Sequence, residues 1–125
     1  MSAERRSFPR YPVKSPVLVT LPDAATGTVY HCECNTLSRT SIQIECSAEL
    51  IAALLRQTKL PYYCSLQFTL PWYKHIFRVD ASVVTHRRLS RQQYVLVLLL
   101  RHADLQQETL LDNQLNRQQK ALGLD

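Results

Sequence analysis

Between Val13 and Leu100, apolar residues recur at every second position in a series of separate runs. Such alternation sends successive side chains to opposite faces, the pattern of a half-buried β-strand. Val13, Val17, Val19 and Leu21 form the first run, stopped by Pro22, and Asp23 to Gly27 is turn material. Tyr30, Cys32 and Cys34 share one face of a second strand, with Val29, His31 and Glu33 opposite. A polar break from Asn35 to Thr40 leads into Ile42, Ile44 and Cys46, with Gln43 and Glu45 outside. Cys64, Leu66, Phe68 and Leu70 make a fourth strand ended by Pro71. Phe77, Val79, Ala81 and Val83 make a fifth, and Tyr94 to Leu100 a sixth.

The rhythm changes twice. Ile51, Leu54 and Leu55 recur at helical spacing after Ser47, a good capping residue, and predict a short helix within 47–57. Leu111, Leu115 and Leu122 lie at helical spacing in a Gly-free stretch from about Asp104 to Ala121, widened by Leu105 and Leu110. Gly123 suits the end of that helix. The sixth strand is apolar on both faces and needs a cover, for which this helix is the candidate. Trp72 and Tyr73, at a strand end, read as an aromatic plug at a barrel mouth. The whole predicts a mainly all-β fold: a six-stranded antiparallel β-barrel with a short inserted helix and a C-terminal α-helix. The 125 residues make one domain, with a flexible arm at 1–11, the barrel at 12–102 and the C-terminal helix at 103–123.

Composition narrows the function by exclusion. Hydrophobic residues are 46% and charged residues 20%, as in globular domains, and no apolar run approaches the roughly 20 residues of a membrane span. The charged start, Met1 to Arg10, has no apolar region behind it, so it does not read as a secretory signal. The expectation is a cytoplasmic protein without membrane insertion, whose Cys32, Cys34, Cys46 and Cys64 are reduced. Their spacing fits no usual zinc pairing, and His31, His75, His86 and His102 form no metal-spaced pair. No nucleophile–base pair or catalytic carboxylate pair is recognisable, and Gly27 and Gly123 cannot build a phosphate-cradling loop. The chain is therefore read as non-enzymatic, without metal or cofactor.

The formal charge of +5 favours an anionic partner, and its distribution says where. Arg5, Arg6 and Arg10 cluster on the arm; His86, Arg87, Arg88 and Arg91 follow the fifth strand. A guanidinium donates two parallel hydrogen bonds to phosphate and stays charged at physiological pH. Two arginines four apart can grip two phosphates, or stack on a base while gripping one. The segment Thr36-Leu37-Ser38-Arg39-Thr40-Ser41 adds hydroxyls and backbone N–H groups for a phosphate or base edge.

An arginine arm, a strand, and then this turn opening a strand resemble the PilZ family of cyclic di-GMP receptors. That family carries Arg-x-x-x-Arg ahead of the first strand and Asp or Asn-x-Ser-x-x-Gly some 20 to 30 residues later. Arg6 and Arg10 match the first motif, with Arg5 beside them, and Ser38 matches the serine of the second. Thr36 stands where the family has Asp or Asn, Asn35 is its neighbour, and Ser41 stands where the family has glycine. If position 41 needs a glycine-only backbone, serine there costs roughly 1–3 kcal/mol. The resemblance implies a ligand site of Arg5, Arg6, Arg10, Thr36, Ser38 and Ser41, with Asn35, Arg39, His86 and Arg87 as secondary candidates. It implies a cyclic di-GMP receptor that orders its N-terminal arm on binding and signals to a protein partner or a second copy in a homodimer. The alternative is a degenerate PilZ domain acting as a nucleotide-independent interaction module in motility or pilus machinery. A nucleic-acid binder would gather stacking aromatics on one face, whereas these are spread over strand faces and ends.

Overall fold

The computed structural model describes residues 9–22, 27–58 and 60–121. Six strands, β1 (Tyr11–Thr20), β2 (Tyr30–Leu37), β3 (Ser41–Ser47), β4 (Tyr63–Leu70), β5 (Tyr73–Arg88) and β6 (Gln93–Arg101), close into an antiparallel barrel. Its spatial order is β1-β2-β3-β6-β5-β4. Two helices complete it: α1 (Ala48–Leu54) between β3 and β4, and α2 (Leu105–Ala121) after β6.

Alternation dictates the interior. Val17, Val19, Ile44, Leu66, Phe77, Leu96 and Leu98 point inward and are essentially fully buried, joined by all four cysteines. Phe68 and Phe77 are cross-strand partners whose rings stack with centroids 5.5 Å apart. Burial takes the thiols out of water and disfavours their thiolates, so Cys32, Cys34 and Cys64 are pushed up to about 12 and Cys46 to about 11. All four are free. Gly27 has φ of +68°, the left-handed region expected of a turn glycine ahead of β2.

The helices close opposite ends. α1 begins where β3 ends: Ser47 caps it by accepting from the Leu50 N–H, and the Ala48 N–H donates to the Gln92 carbonyl. Leu50, Ile51 and Leu54 enter the core cluster. Leu55 does not follow the expected stripe; it is the C-cap, and Leu50 takes its place. α2 bonds to Tyr11, Arg39 and Arg78, residues at the other rim, and buries Leu111 and Leu115 in the same cluster. Asp104 caps α2 through the Gln107 N–H at 2.7 Å. Trp72, in the β4–β5 connection, and Tyr73, the first residue of β5, pack half-buried against the core.

Two expectations change here. The leucine stripe of α2 stops up the barrel end instead of lying along the outer side of β6, where Leu99 stays 43% exposed. Leu105, in the first turn beyond the rim, is 67% exposed and does not join the stripe. Leu122 and Gly123 lie outside the described residues. Among the described residues no helix is long and apolar enough to cross a membrane.

Candidate functional site

Strand register sets the described root of the first candidate segment beside the second. β1 and β2 run antiparallel with Tyr11 opposite Leu37 and Pro12 opposite Thr36. Arg10, exposed one residue before β1, therefore leaves the barrel beside the turn that joins β2 to β3. Arg5 and Arg6 lie outside the described residues.

A bulge shapes this corner. Cys34 pairs with Ile44 and Thr36 with Gln43, so β2 has one residue, Asn35, in excess over β3. Cys34 and Leu37 are both buried at 1% exposure, while Asn35 and Thr36 between them are half-buried. The extra residue thus lets two consecutive polar side chains avoid the core, where regular alternation would drive one inward. The neighbouring β1–β2 ladder shifts at the same level, between Pro12 and Ser15. Asn35 donates its side-chain N–H to Glu45 Oε2 at 3.2 Å.

Ser38 holds the turn from within. Its N–H donates to the Ser41 carbonyl at 2.8 Å, and its Oγ accepts from the N–H groups of Thr40 and Ser41 at 3.2 and 3.0 Å. The Ser38 and Ser41 hydroxyls are 3.0 Å apart. At 1% exposure, the Ser38 hydroxyl organises the loop and does not stand on its surface. Ser41 is half-buried, and no non-glycine among the described residues has positive φ. The left-handed strain considered for Ser41 is absent.

Arg39 reaches α2. Its Nε meets Glu108 Oε2 at 2.8 Å and its Nη1 lies 3.7 Å from Asp112 Oδ2, both on α2. The Arg39 carbonyl lies 2.8 Å from His102 Nε2. His86 and Arg87 sit exposed near the other end of β5, paired with Leu96 and Val95, and His86 lies near the Tyr94 ring. Strands β6 and β3 lie between them and the β2–β3 turn, and that turn meets β6 at Leu100, near the opposite end of the strand from His86.

Sequence reasoning missed the contribution of α2. Tyr11 donates its hydroxyl to Asn116 Oδ1 at 2.6 Å, so Glu108, Asp112 and Asn116, spaced four apart, contact both the first residue of β1 and the β2–β3 turn. That spacing was visible in the sequence, but its partners were not. An open cavity of about 790 Å³ lies over β4, β5 and β6, lined by Tyr63, Ser65, Asp80 and Arg101 among others. It contains none of the candidate residues. No three His, Cys, Asp or Glu side chains among the described residues are grouped to hold a metal.

Solved structures share the overall fold of this closed six-stranded antiparallel barrel. The chain has the fold of PilZ domains. It matches the PilZ domain of CeSA from a cellulose-synthesizing bacterium with a TM-score of 0.60 and 15% identity, over 89% of this chain and 98% of that one. It matches the Bacillus subtilis inhibitor of motility MotI/DgrA with a TM-score of 0.69 and 14% identity, over 94% of this chain and 52% of that one. The PlzA protein of Borreliella burgdorferi, solved in complex with c-di-GMP, gives a TM-score of 0.61 and 13% identity, over 93% and 55% of the two chains. The chain thus spans about half the length of MotI/DgrA and of PlzA. No protein-family model and no curated protein matches the sequence.

Proposed function

We propose that the chain is a cyclic di-GMP receptor domain that performs no chemical step. Its N-terminal arm, with Arg5, Arg6 and Arg10, closes over the β1–β2 corner on binding and changes the surface offered to a partner protein. The observation that carries this reading is the Tyr11–Leu37 register, which sets the root of the arginine arm beside the Thr36–Ser41 segment. Arginines supply the phosphate grip, and Asn35 and Thr36 supply outward polar groups for a base edge. Ordering an arm on ligand binding is a recognised switching mode. The complex of PlzA with c-di-GMP supports the ligand class on this fold. A second messenger and four reduced thiols both fit the cytoplasm.

Isothermal titration of the full chain with cyclic di-GMP tests it. Saturable heat at micromolar ligand is expected; folded protein giving no heat at high-micromolar ligand sinks the proposal. That result would favour a nucleotide-independent interaction module. The observation behind this second reading is local: Ser38 faces inward and Arg39 is engaged by α2, so the turn offers a ligand few free side chains.

A further inference from the structure

Three polar residues of α2 follow the spacing i, i+4, i+8: Glu108, Asp112 and Asn116. Residues four apart stack on one face of a helix, so they form a single polar stripe. Beside that stripe, Leu111 and Leu115 enter the barrel end and are 0% and 1% exposed. The apolar pair carries the docking of the helix, because burying it removes apolar surface from water. The polar stripe does something more selective. Its upper two members hold Arg39, in the middle of the Ser38–Ser41 turn, at 2.8 and 3.7 Å. Its last member accepts a 2.6 Å hydrogen bond from Tyr11, the first residue of β1 and the next after Arg10. A further contact, His102 Nε2 at 2.8 Å from the Arg39 carbonyl, ties the turn to the connection leading into α2.

One helix therefore bonds both segments that would clasp a ligand, the arm root and the turn. We infer that α2 is the element that reads the site: its polar stripe sets the arm root and the turn in their binding arrangement, so docking of α2 and occupancy of the site favour one another. Arg39 is then a positioning residue, held by carboxylates and not given to phosphate. The inference rests on the proposed nucleotide reading for its ligand, but the latch itself is a property of the unliganded chain. Reciprocity follows from linkage: whatever factor the docked helix adds to ligand affinity, the ligand adds to helix docking.

The test uses the full chain with the double variant Glu108→Gln/Asp112→Asn, which removes the two α2 carboxylate charges beside Arg39 but leaves Leu111 and Leu115 in place. Amide hydrogen exchange in α2 and in residues 36–41 is followed with and without cyclic di-GMP, and titration gives the affinities. In the unliganded protein the variant should speed exchange in both segments about fivefold or more. The variant should bind cyclic di-GMP about fivefold more weakly, the low end of measured couplings, and ligand should slow exchange in native α2 by a similar factor. Unchanged affinity in the variant overturns the inference. Tighter binding also overturns it, by showing that the carboxylates keep Arg39 from the ligand. If the native chain binds no cyclic di-GMP, the nucleotide reading fails, and the latch then stands or falls on the unliganded exchange rates alone. An Arg39→Lys variant separates charge from geometry: it keeps the charge but not the paired contact and should weaken binding by a factor similar to that of the double variant, whereas native affinity would show that the paired geometry does not set the site.

Discussion

Tyr11 and Leu37 face each other across the β1–β2 ladder, and this single pairing joins two segments that are far apart in the sequence. Tyr11 follows directly on Arg10; Leu37 precedes directly the buried Ser38. Any ligand that touches both motifs must therefore sit over this rim of the barrel.

The arm should matter to binding and hardly at all to folding. Arg10 is exposed and precedes the first strand, so Arg10→Ala should change stability by no more than about 0.5 kcal/mol. Its loss, or that of Arg6, should weaken cyclic di-GMP binding at least tenfold, about 1.4 kcal/mol, read by titration beside a thermal melt. A variant that melts normally and binds as tightly as the native chain removes the arm from the site.

Ser38→Ala should do the reverse and act first on the fold. The hydroxyl accepts from two backbone N–H groups in a place only 1% exposed, and alanine leaves both unpaired. Stranding buried donors costs about 1–3 kcal/mol. Urea unfolding should record that loss with an unchanged slope, because the compactness of neither end state alters.

The barrel was legible in the sequence because one face of each strand is buried, as Ile42, Ile44 and Cys46 show against Gln43 and Glu45. The end of β2 was not. Asn35 and Thr36 are two polar residues in succession, which looks like the end of a strand but is a bulge that carries β2 on to Leu37. Leu105 fits the helical period of α2 and is exposed all the same, since period alone does not say where the barrel rim lies. The arginine motif could be read from residue types, whereas the engagement of Arg39 could not: Glu108 lies 69 residues away and only the closed barrel brings it near.

Position 36, and not position 41, should limit affinity. Ser41 adopts an ordinary backbone, so Ser41→Gly relieves no strain, removes a hydroxyl bonded to Ser38 and loosens the unfolded chain. It should destabilise by about 0.5–1 kcal/mol. Thr36→Asn instead supplies an amide on the outer side of the bulge and should tighten cyclic di-GMP binding by about tenfold, or 1.4 kcal/mol. Tighter binding in Ser41→Gly with no change in Thr36→Asn would reverse the assignment.

The two leucines that differ most along α2 should separate plug from surface. Leu111→Ala opens a hole at the barrel end, where the side chain is fully buried, and should cost about 2–5 kcal/mol. Leu105→Ala, at 67% exposure, should stay within about 0.5 kcal/mol. Equal effects in denaturant titrations would mean that α2 is not seated on the barrel by its leucine stripe.

The buried thiols make the fold sensitive to alkali. A thiol near 9.0 when unfolded and pushed up to about 11 or 12 by burial keeps its proton longer in the native state. Between those values the unfolded chain binds fewer protons, so stability falls as pH rises. The contribution of each thiol is fully present below pH 9 and declines toward pH 11 to 12, by up to about 1.4 kcal/mol per pH unit. Urea midpoints should hold level from pH 7 to 8 and then drop steeply from pH 9 to 10.5. Cys34→Ala removes one of these groups and should make the fall shallower by about one thiol's share, whatever it does to stability at pH 7. A slope identical to that of the native chain would show that the Cys34 thiol ionises as easily in the barrel as in water.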